Sequence, residues 1–468
     1  MVVSILRKSV IVLLLAGGLA EAVWGYGQFL GVWPSGNSRF VFTGSFYNPG
    51  PYSGFLSMVI AIALFEWKRL KSKQHWSQGL LGMLCTLMII LLPAGRSRAA
   101  WLALGVAAVY YLYCNQKEAI LKKLFQNRLA TLTGCFVLIL TFGGIYHLKK
   151  DSADGRLFIW KNAIHAIAKN PWKGCGWDHV AGVYGEQQEA YFSSGNGTEA
   201  EKRIADAPDN IFNEFLQAAM AWGVPSAMAI ILILVYTFYI GHQSESWSLC
   251  AGLLSLATFA FFSYPFQFPE FCICLFLIVA GIHLSAIEKF DCVRKEITHF
   301  ILIGSTIAVL AYGQWVIERH QHEQEWRLHR KSQQELYPDM KWNAQFLFDY
   351  GLRLHRSGEY SKSEEVMNTG MQVSSDPMFL VIQGKNAWYQ KHPKEAERWL
   401  QRAANRVPNR IYPHYLLAKL YSDSAFLNRE RFLSAAEIVL NRDAKVPSTA
   451  VRQMREEIQK LKEERWGR

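Results

Sequence analysis

The sequence predicts an all-α protein: a polytopic bundle of transmembrane helices followed by a helical-repeat domain. Three observations predict it. Up to about residue 318, long apolar runs alternate with short polar breaks, and a spanning helix takes roughly 20 mostly apolar residues. Beyond that point the chain is polar and charged, with apolar residues at helical spacing. There Gly358 and His392, like Ser374 and Pro408, stand 34 positions apart, the period of tetratricopeptide helix pairs. Composition agrees with two unlike parts: 51% of residues are hydrophobic, yet mean hydropathy is only +0.04.

About nine spans are expected from hydropathy and length. They lie near 9–30, 50–66, 78–94, 99–114, 129–148, 211–240, 247–264, 271–288 and 299–317. The first, "RKSVIVLLLAGGLAEA", also has the form of a signal peptide, but apolar and aromatic character continues through Trp24, Tyr26 and Phe29, so a retained helix is expected. The expected domains are a membrane domain at 1–318, with a large loop at about 149–210, a linker helix at 319–339 and a repeat domain at 340–468.

Eight cysteines are present, and Cys175 alone lies in the large polar loop, which gives no disulfide framework. Cys272 and Cys274 read as lipid-facing or packed thiols, and no metal site is expected. The net charge of +12 is spread between loops and the C-terminal part. That suits a membrane protein in contact with lipid better than a nucleic-acid partner.

Basic residues set the orientation. Arg7 and Lys8, the segment "EWKRLKSKQHW", the segment "NQKEAILKKLFQNR" and the segment "KFDCVRKE" all fall on one side if nine helices alternate. That side is cytoplasmic. The outer side then holds the loop 31–49, the turn "AGRSRA", the long loop, the tip "PFQFPEF" and everything after residue 318. Arg96 and Arg98 therefore stand on the side where short loops avoid arginine. Two readings are open: interfacial snorkelling that anchors a hairpin, or an anion site at the membrane boundary.

The long loop opens with "DGRLFIWKNAIHAIAKNPWKGCGW". Leu157, Trp160, Ala163, Ile164 and Ile167 give one apolar helical face. Asp154 or Gly155 is expected to start that helix, and "KNPWKGCG" to stop it. Arg156 would then sit in the first turn, where a cation opposes the helix dipole. Pointed back at the membrane, it could join Arg96 and Arg98 around a diphosphate, because the guanidinium fork donates paired hydrogen bonds to phosphate oxygens. The loop ends in a cluster of Asp206, Asp209, Asn210, Asn213 and Glu214. Asp209 reads either as a helix N-cap or as a carboxylate placed to take a proton from an acceptor hydroxyl. His165 and His179 are further candidates, though a lone His is more often structural.

These pieces together resemble the O-antigen ligase and Wzy-type polymerase family. The residues that carry the resemblance are "FTGSFYNPGPYSGFL" at 42–56, "AGRSRAAWLAL" at 94–104, "GRLFIWKNAIHAIAKNPWKGCGW" at 155–177 and "NIFNEFLQAAMAWGVPSAM" at 210–228. The resemblance implies a GT-C-like membrane bundle. It implies glycan transfer from a polyprenyl-diphosphate-linked donor to a glycan, lipid or protein acceptor, with no cofactor. It implies that Arg98 and Arg156 hold the diphosphate; Arg96 is added by proximity. Asn48, Pro49 and Asn213 belong to the family's structural motifs. Many members carry His directly before that Asn, where this chain has Phe212, so Asp209, Asp206 and Glu214 become the candidate catalytic carboxylates. Members also often have more spans ahead of "GSFYNP".

In the C-terminal part about two and a half repeats are expected, of the kind that bind a protein partner or cap the outer loops. The tail "VRQMREEIQKLKEERW" reads as a solvated helix. Two other function classes stand beside a transferase. A non-catalytic scaffold would recruit assembly partners through the repeats. A transporter would place ionisable residues mid-membrane, where this chain has few.

Overall fold

The computed structural model describes residues 2–70, 75–115, 150–287, 289, 292–444 and 448–467. Every helix or strand assigned among them is helical. In chain order the helices are α1 (Val2–Phe29), α2 (Pro49–Arg69), α3 (His75–Gly95), α4 (Arg98–Asn115), α5 (Lys150–Lys169), α6 (Val180–Ser193), α7 (Glu199–Ile204), α8 (Glu214–Trp222), α9 (Val224–Gln243) and α10 (Trp247–Phe262). They continue as α11 (Pro269–Ile287), α12 (Cys292–Arg327), α13 (Gln333–Leu336), α14 (Ala344–Arg356), α15 (Tyr360–Val373), α16 (Met378–Tyr389), α17 (Pro393–Arg406), α18 (Ile411–Ser422), α19 (Arg429–Asn441) and α20 (Thr449–Trp466). Single-turn 3-10 helices separate some of these.

Two compact units result. The first comprises residues 1–149, 212–215 and 227–317; the second comprises 150–211, 216–226 and 318–468.

The first unit is the membrane bundle. Among the described residues six helices are long and apolar enough to cross a bilayer: Ile5–Phe29, Pro49–Arg69, His75–Gly95, Val224–Gln243, Pro269–Ile287 and Lys295–Arg327. Two shorter apolar helices, Arg98–Cys114 and Trp247–Phe262, accompany them. This is a multi-pass membrane protein. The expected span at 129–148 lies outside the described residues. The expected span at 211–240 is corrected: Gly223, at φ 86°, breaks it into α8 and α9. The last expected span is part of the 36-residue helix α12.

Helix α2 is the centre of the bundle, packed by α1, α3, α4 and α10. Its residues from Pro51 to Ala63 are all buried. Small residues permit that crowding, since lipid-embedded helices associate through close backbone approach. A Cβ on Gly54 would meet the Phe259 ring at 2.4 Å, and one on Gly252 would meet Ile62 at 2.7 Å.

The second unit joins α5 to α8 with the C-terminal helices. Its C-terminal part holds three successive helix pairs, α14–α15, α16–α17 and α18–α19, and then α20. This is more than the two and a half repeats expected. Helix α20 is not fully solvated, because Ile458 is buried in the core between the pairs.

Candidate functional site

In the membrane bundle, α1 folds the loop that precedes α2. The Gln28 amide oxygen accepts the backbone N–H groups of Thr43 and Gly44, each at 2.8 Å. Its nitrogen donates to the carbonyls of Pro34 (3.3 Å) and Gly44 (3.2 Å). Glu21 accepts the Ser45 N–H at 3.1 Å, and the Tyr52 hydroxyl donates to the Glu21 carbonyl at 3.0 Å. Gly44 has φ 60°, and a Cβ there would strike both the Glu21 carboxylate and the Tyr52 ring. Asn48 then caps α2, its Oδ1 accepting Gly50 N–H at 2.8 Å, with Pro49 at the first helical position. That position suits proline, whose missing N–H has no helical partner there in any case. Gln28 and Glu21 escaped the sequence reading, because a polar residue in an apolar run gives no sign of which distant loop it folds.

Arg96 and Arg98 lie at the turn between α3 and α4. Arg96 is exposed at φ 48°, and Arg98, half-buried, starts α4. Ser97 accepts the Ala100 N–H through its hydroxyl at 3.4 Å. Just before the turn, Gly95 abuts the start of α2: a Cβ there would lie 2.0 Å from the Ser53 hydroxyl and 3.4 Å from the Pro49 carbonyl. The arginine turn and the Asn48–Pro49 cap are therefore neighbours. Aromatic rings carry the same end of the bundle further. Phe46 packs edge-on against Phe268 at 5.3 Å, Phe268 tilts on Tyr264 at 6.1 Å, and Tyr264 meets Phe212 at 5.2 Å.

Phe212, in place of the expected His, sits at φ 55°, a region few side chains adopt. Asn213 is buried, and its side chain accepts the Phe215 N–H at 3.0 Å. So Asn213, rather than Asp209, stands at the start of the helix, which begins at Glu214. Glu214 is also buried, and its Oε1 accepts the Phe266 N–H at 2.8 Å. That bond ties α8 to the 264–268 tip and makes Glu214 part of the framework.

The other candidates belong to the second unit. Arg156 is half-buried in the second turn of α5. The expectation that Asp154 or Gly155 starts this helix is corrected: α5 is already helical from Lys150, so Arg156 does not oppose a first-turn dipole. The helix does stop at Lys169, and the Asn170 amide donates to the Gly174 carbonyl at 2.7 Å. The apolar face is rotated from the one expected. Phe158, Ala163 and Ala166 are buried, whereas Leu157 and Ile164 are more than half exposed.

Asp206 and Asp209 lie in an irregular stretch between α7 and α8, both exposed. Asp206 Oδ1 accepts the Ala207 N–H at 3.0 Å. The Asp209 carboxyl is raised, first by the protein around it and then by the charge of Asp376; its exposure limits the first effect. Trp160, one turn beyond Arg156, donates to the Ile211 carbonyl at 3.0 Å. This brings the helix of Arg156 beside the acidic stretch. His165 is exposed, and His179 pairs with the Gln372 carbonyl at 3.1 Å.

Residues 83–231 match the family model described as O-antigen ligase. That window contains Arg96, Arg98, Arg156, Asp206, Asp209, Asn213 and Glu214; Asn48 and Pro49 precede it. This stretch of the chain is similar to O-antigen ligases. The resemblance read from the sequence is borne out. The ComP-specific O-oligosaccharyltransferase of Acinetobacter baylyi is 23% identical over 263 residues, covering 52% of this chain and 46% of that relative. The chain thus spans about half the length of the curated relative it matches. No solved structure matches. The three arginines and the two exposed aspartates all fall inside the matched window, while the loop folded by Gln28 and Glu21 lies ahead of it.

Proposed function

We propose that this chain is a membrane glycosyltransferase acting at the outer face of the bacterial inner membrane. It moves a glycan from a polyprenyl-diphosphate carrier to an acceptor hydroxyl, as a ligase, a polymerase or a protein O-glycosylating enzyme. The observation that carries the reading is the arginine turn. Arg96 and Arg98 cluster beside the capped start of α2, inside the window that matches O-antigen ligases. The relative's name, an O-oligosaccharyltransferase, supports transfer of an oligosaccharide to oxygen. The basic loops support a periplasmic long loop and C-terminal part.

In the reaction the acceptor oxygen attacks the anomeric carbon. The bond from that carbon to the diphosphate oxygen breaks, with inversion, and polyprenyl diphosphate leaves. Arg98 and Arg156, with Arg96, stabilise the charge growing on the leaving diphosphate. Asp206 or Asp209 takes the acceptor proton. Glu214 is not chosen for that task, because its carboxylate is buried on the Phe266 N–H.

The test is glycan profiling of a deletion strain complemented with wild type, Arg98→Ala or Arg156→Ala at matched membrane levels. Wild type restores the missing glycoconjugate and the arginine variants do not. Product chain length and attachment then separate ligase, polymerase and protein glycosylation. Full complementation by both variants would overturn the reading in favour of a scaffold that recruits partners through its tetratricopeptide-like helices.

A further inference from the structure

The stretch from Ala205 to Asn213 has no regular structure, so nothing in its own backbone pattern fixes Asp206 and Asp209. Side chains from far along the chain bind it instead. The Asn409 amide donates to three carbonyls at the end of α7: Lys202 (3.3 Å), Arg203 (3.0 Å) and Ala205 (2.5 Å). The Gln188 amide bridges the Asp206 carbonyl (3.0 Å) and the Arg406 carbonyl (2.6 Å). The Ser375 hydroxyl donates to the Pro208 carbonyl at 2.9 Å.

Ser375 and Asn409 are 34 positions apart. They occupy equivalent turns, one after α15 and one after α17, and both turns bind the acidic stretch. Helix α6 is locked between them. A Cβ on Gly182 would lie 2.1 Å from the Gln372 carbonyl, and one on Gly185 would lie 2.9 Å from the Ser375 Cα. The Tyr184 hydroxyl, donating to Gln188 Oε1 at 2.6 Å, aims the Gln188 amide nitrogen at its two carbonyls.

We infer that Asn409 and Ser375 of the C-terminal helices, with Gln188 of the long loop, are positioning residues that hold Asp206 and Asp209 in their working arrangement. The inference rests on the proposed carboxylate role. Fixing one residue's backbone costs roughly 1–2 kcal/mol of conformational entropy, and a proton acceptor must be held within about 0.5 Å of its productive place. An irregular stretch of exposed acids meets that demand only if other side chains do the fixing. In this view the C-terminal helices are a template for the loop, not a separately tethered module.

The test uses full-length protein in membranes of a deletion strain, which supply the native acceptor. The probe is a labelled polyprenyl-diphosphate-linked oligosaccharide extracted from the same cells. Asn409→Asp keeps the side-chain size but sets a carboxylate against three carbonyl oxygens. Ser375→Ala removes the hydroxyl, and Ser375→Thr keeps it. The expected result is that kcat per folded molecule falls at least tenfold in Asn409→Asp and severalfold in Ser375→Ala. The donor KM stays within twofold, and Ser375→Thr transfers like wild type. Wild-type kcat in Asn409→Asp and Ser375→Ala, with Asp206→Asn or Asp209→Asn inactive, would overturn the positioning role alone. A loss that merely follows the amount of folded protein would overturn it too. Full activity in the doubly substituted Asp206→Asn/Asp209→Asn chain would instead overturn the carboxylate reading, and the positioning role with it.

Discussion

Glu189 on α6 binds the fully buried guanidinium of Arg406 at the end of α17, with Nη2 at 2.8 Å and Nε at 3.2 Å from its Oε2. The two residues are 217 positions apart. The more exposed Arg402 shares the same carboxylate, with Nε at 2.5 Å from Oε1.

Removing one partner of a buried pair leaves an uncompensated charge, which costs about 3–5 kcal/mol. Glu189→Ala is therefore expected to lower the melting temperature of the detergent-solubilised chain sharply, and Arg402→Ala much less. Replacing both partners by apolar residues, Glu189→Leu with Arg406→Met, is expected to recover most of the loss. Equal melting of Glu189→Ala and wild type would show that the pair does not hold α6.

Acid acts on another contact of the same unit. Burial raises the Glu201 carboxyl, but bonds from Lys161, the Thr198 N–H and the Tyr191 hydroxyl outweigh it and hold the group at about 2, against 4.5 for the free group. A carboxyl lowered on folding stabilises the fold above its unfolded value, and that contribution fades as pH falls from 4.5 toward 2. Between pH 5 and pH 3 wild type is expected to lose on the order of 1 kcal/mol more than Glu201→Gln, a small figure because Lys161 is partly exposed. Melting curves of both proteins across that range check it, and parallel curves would count against it.

A third expectation concerns the arginine turn. Gly95→Ala puts a methyl group against the Ser53 hydroxyl, which must either leave the Pro49 carbonyl it bonds at 2.8 Å or push the turn with Arg96 and Arg98 away from α2. Overpacking of this kind costs typically 1–3 kcal/mol. Glycan transfer is expected to fall about tenfold or more in Gly95→Ala and to recover substantially in Gly95→Ala/Ser53→Gly, which makes room for the methyl. Transfer assays at matched membrane levels decide it. Full activity in the single variant would mean the turn tolerates displacement.

Much of the architecture was legible because it is written locally. Apolar runs marked α1 to α4 and α9 to α12. Asn48–Pro49 signals a helix start, "KNPWKGCG" a helix stop, and the 34-residue offset the helix pairs. The misreadings have a common cause. Asp154–Gly155 looks like a start signal, yet the helix runs through it. Asp209 looks like a cap, yet the stretch around it is shaped by Gln188, Ser375 and Asn409. Those partners lie 18 to 207 positions away, beyond the reach of any local pattern. Likewise Gly223 reads as an ordinary residue of an apolar span. Only the carbonyl of Trp172, 2.2 Å from where its Cβ would be, shows why the helix must break there.

That break completes a clasp. The N–H groups of Cys175, Gly176 and Val224 bond to the carbonyls of Met220 (2.9 Å), Ala221 (2.8 Å) and Pro171 (2.7 Å). The two feet of the intervening excursion are thus stitched together independently of what lies between them. Lengthening a closed loop adds only about 0.6 kcal/mol per doubling. The exposed bend at Gly195, inside that excursion, can therefore be lengthened at little cost to the clasp.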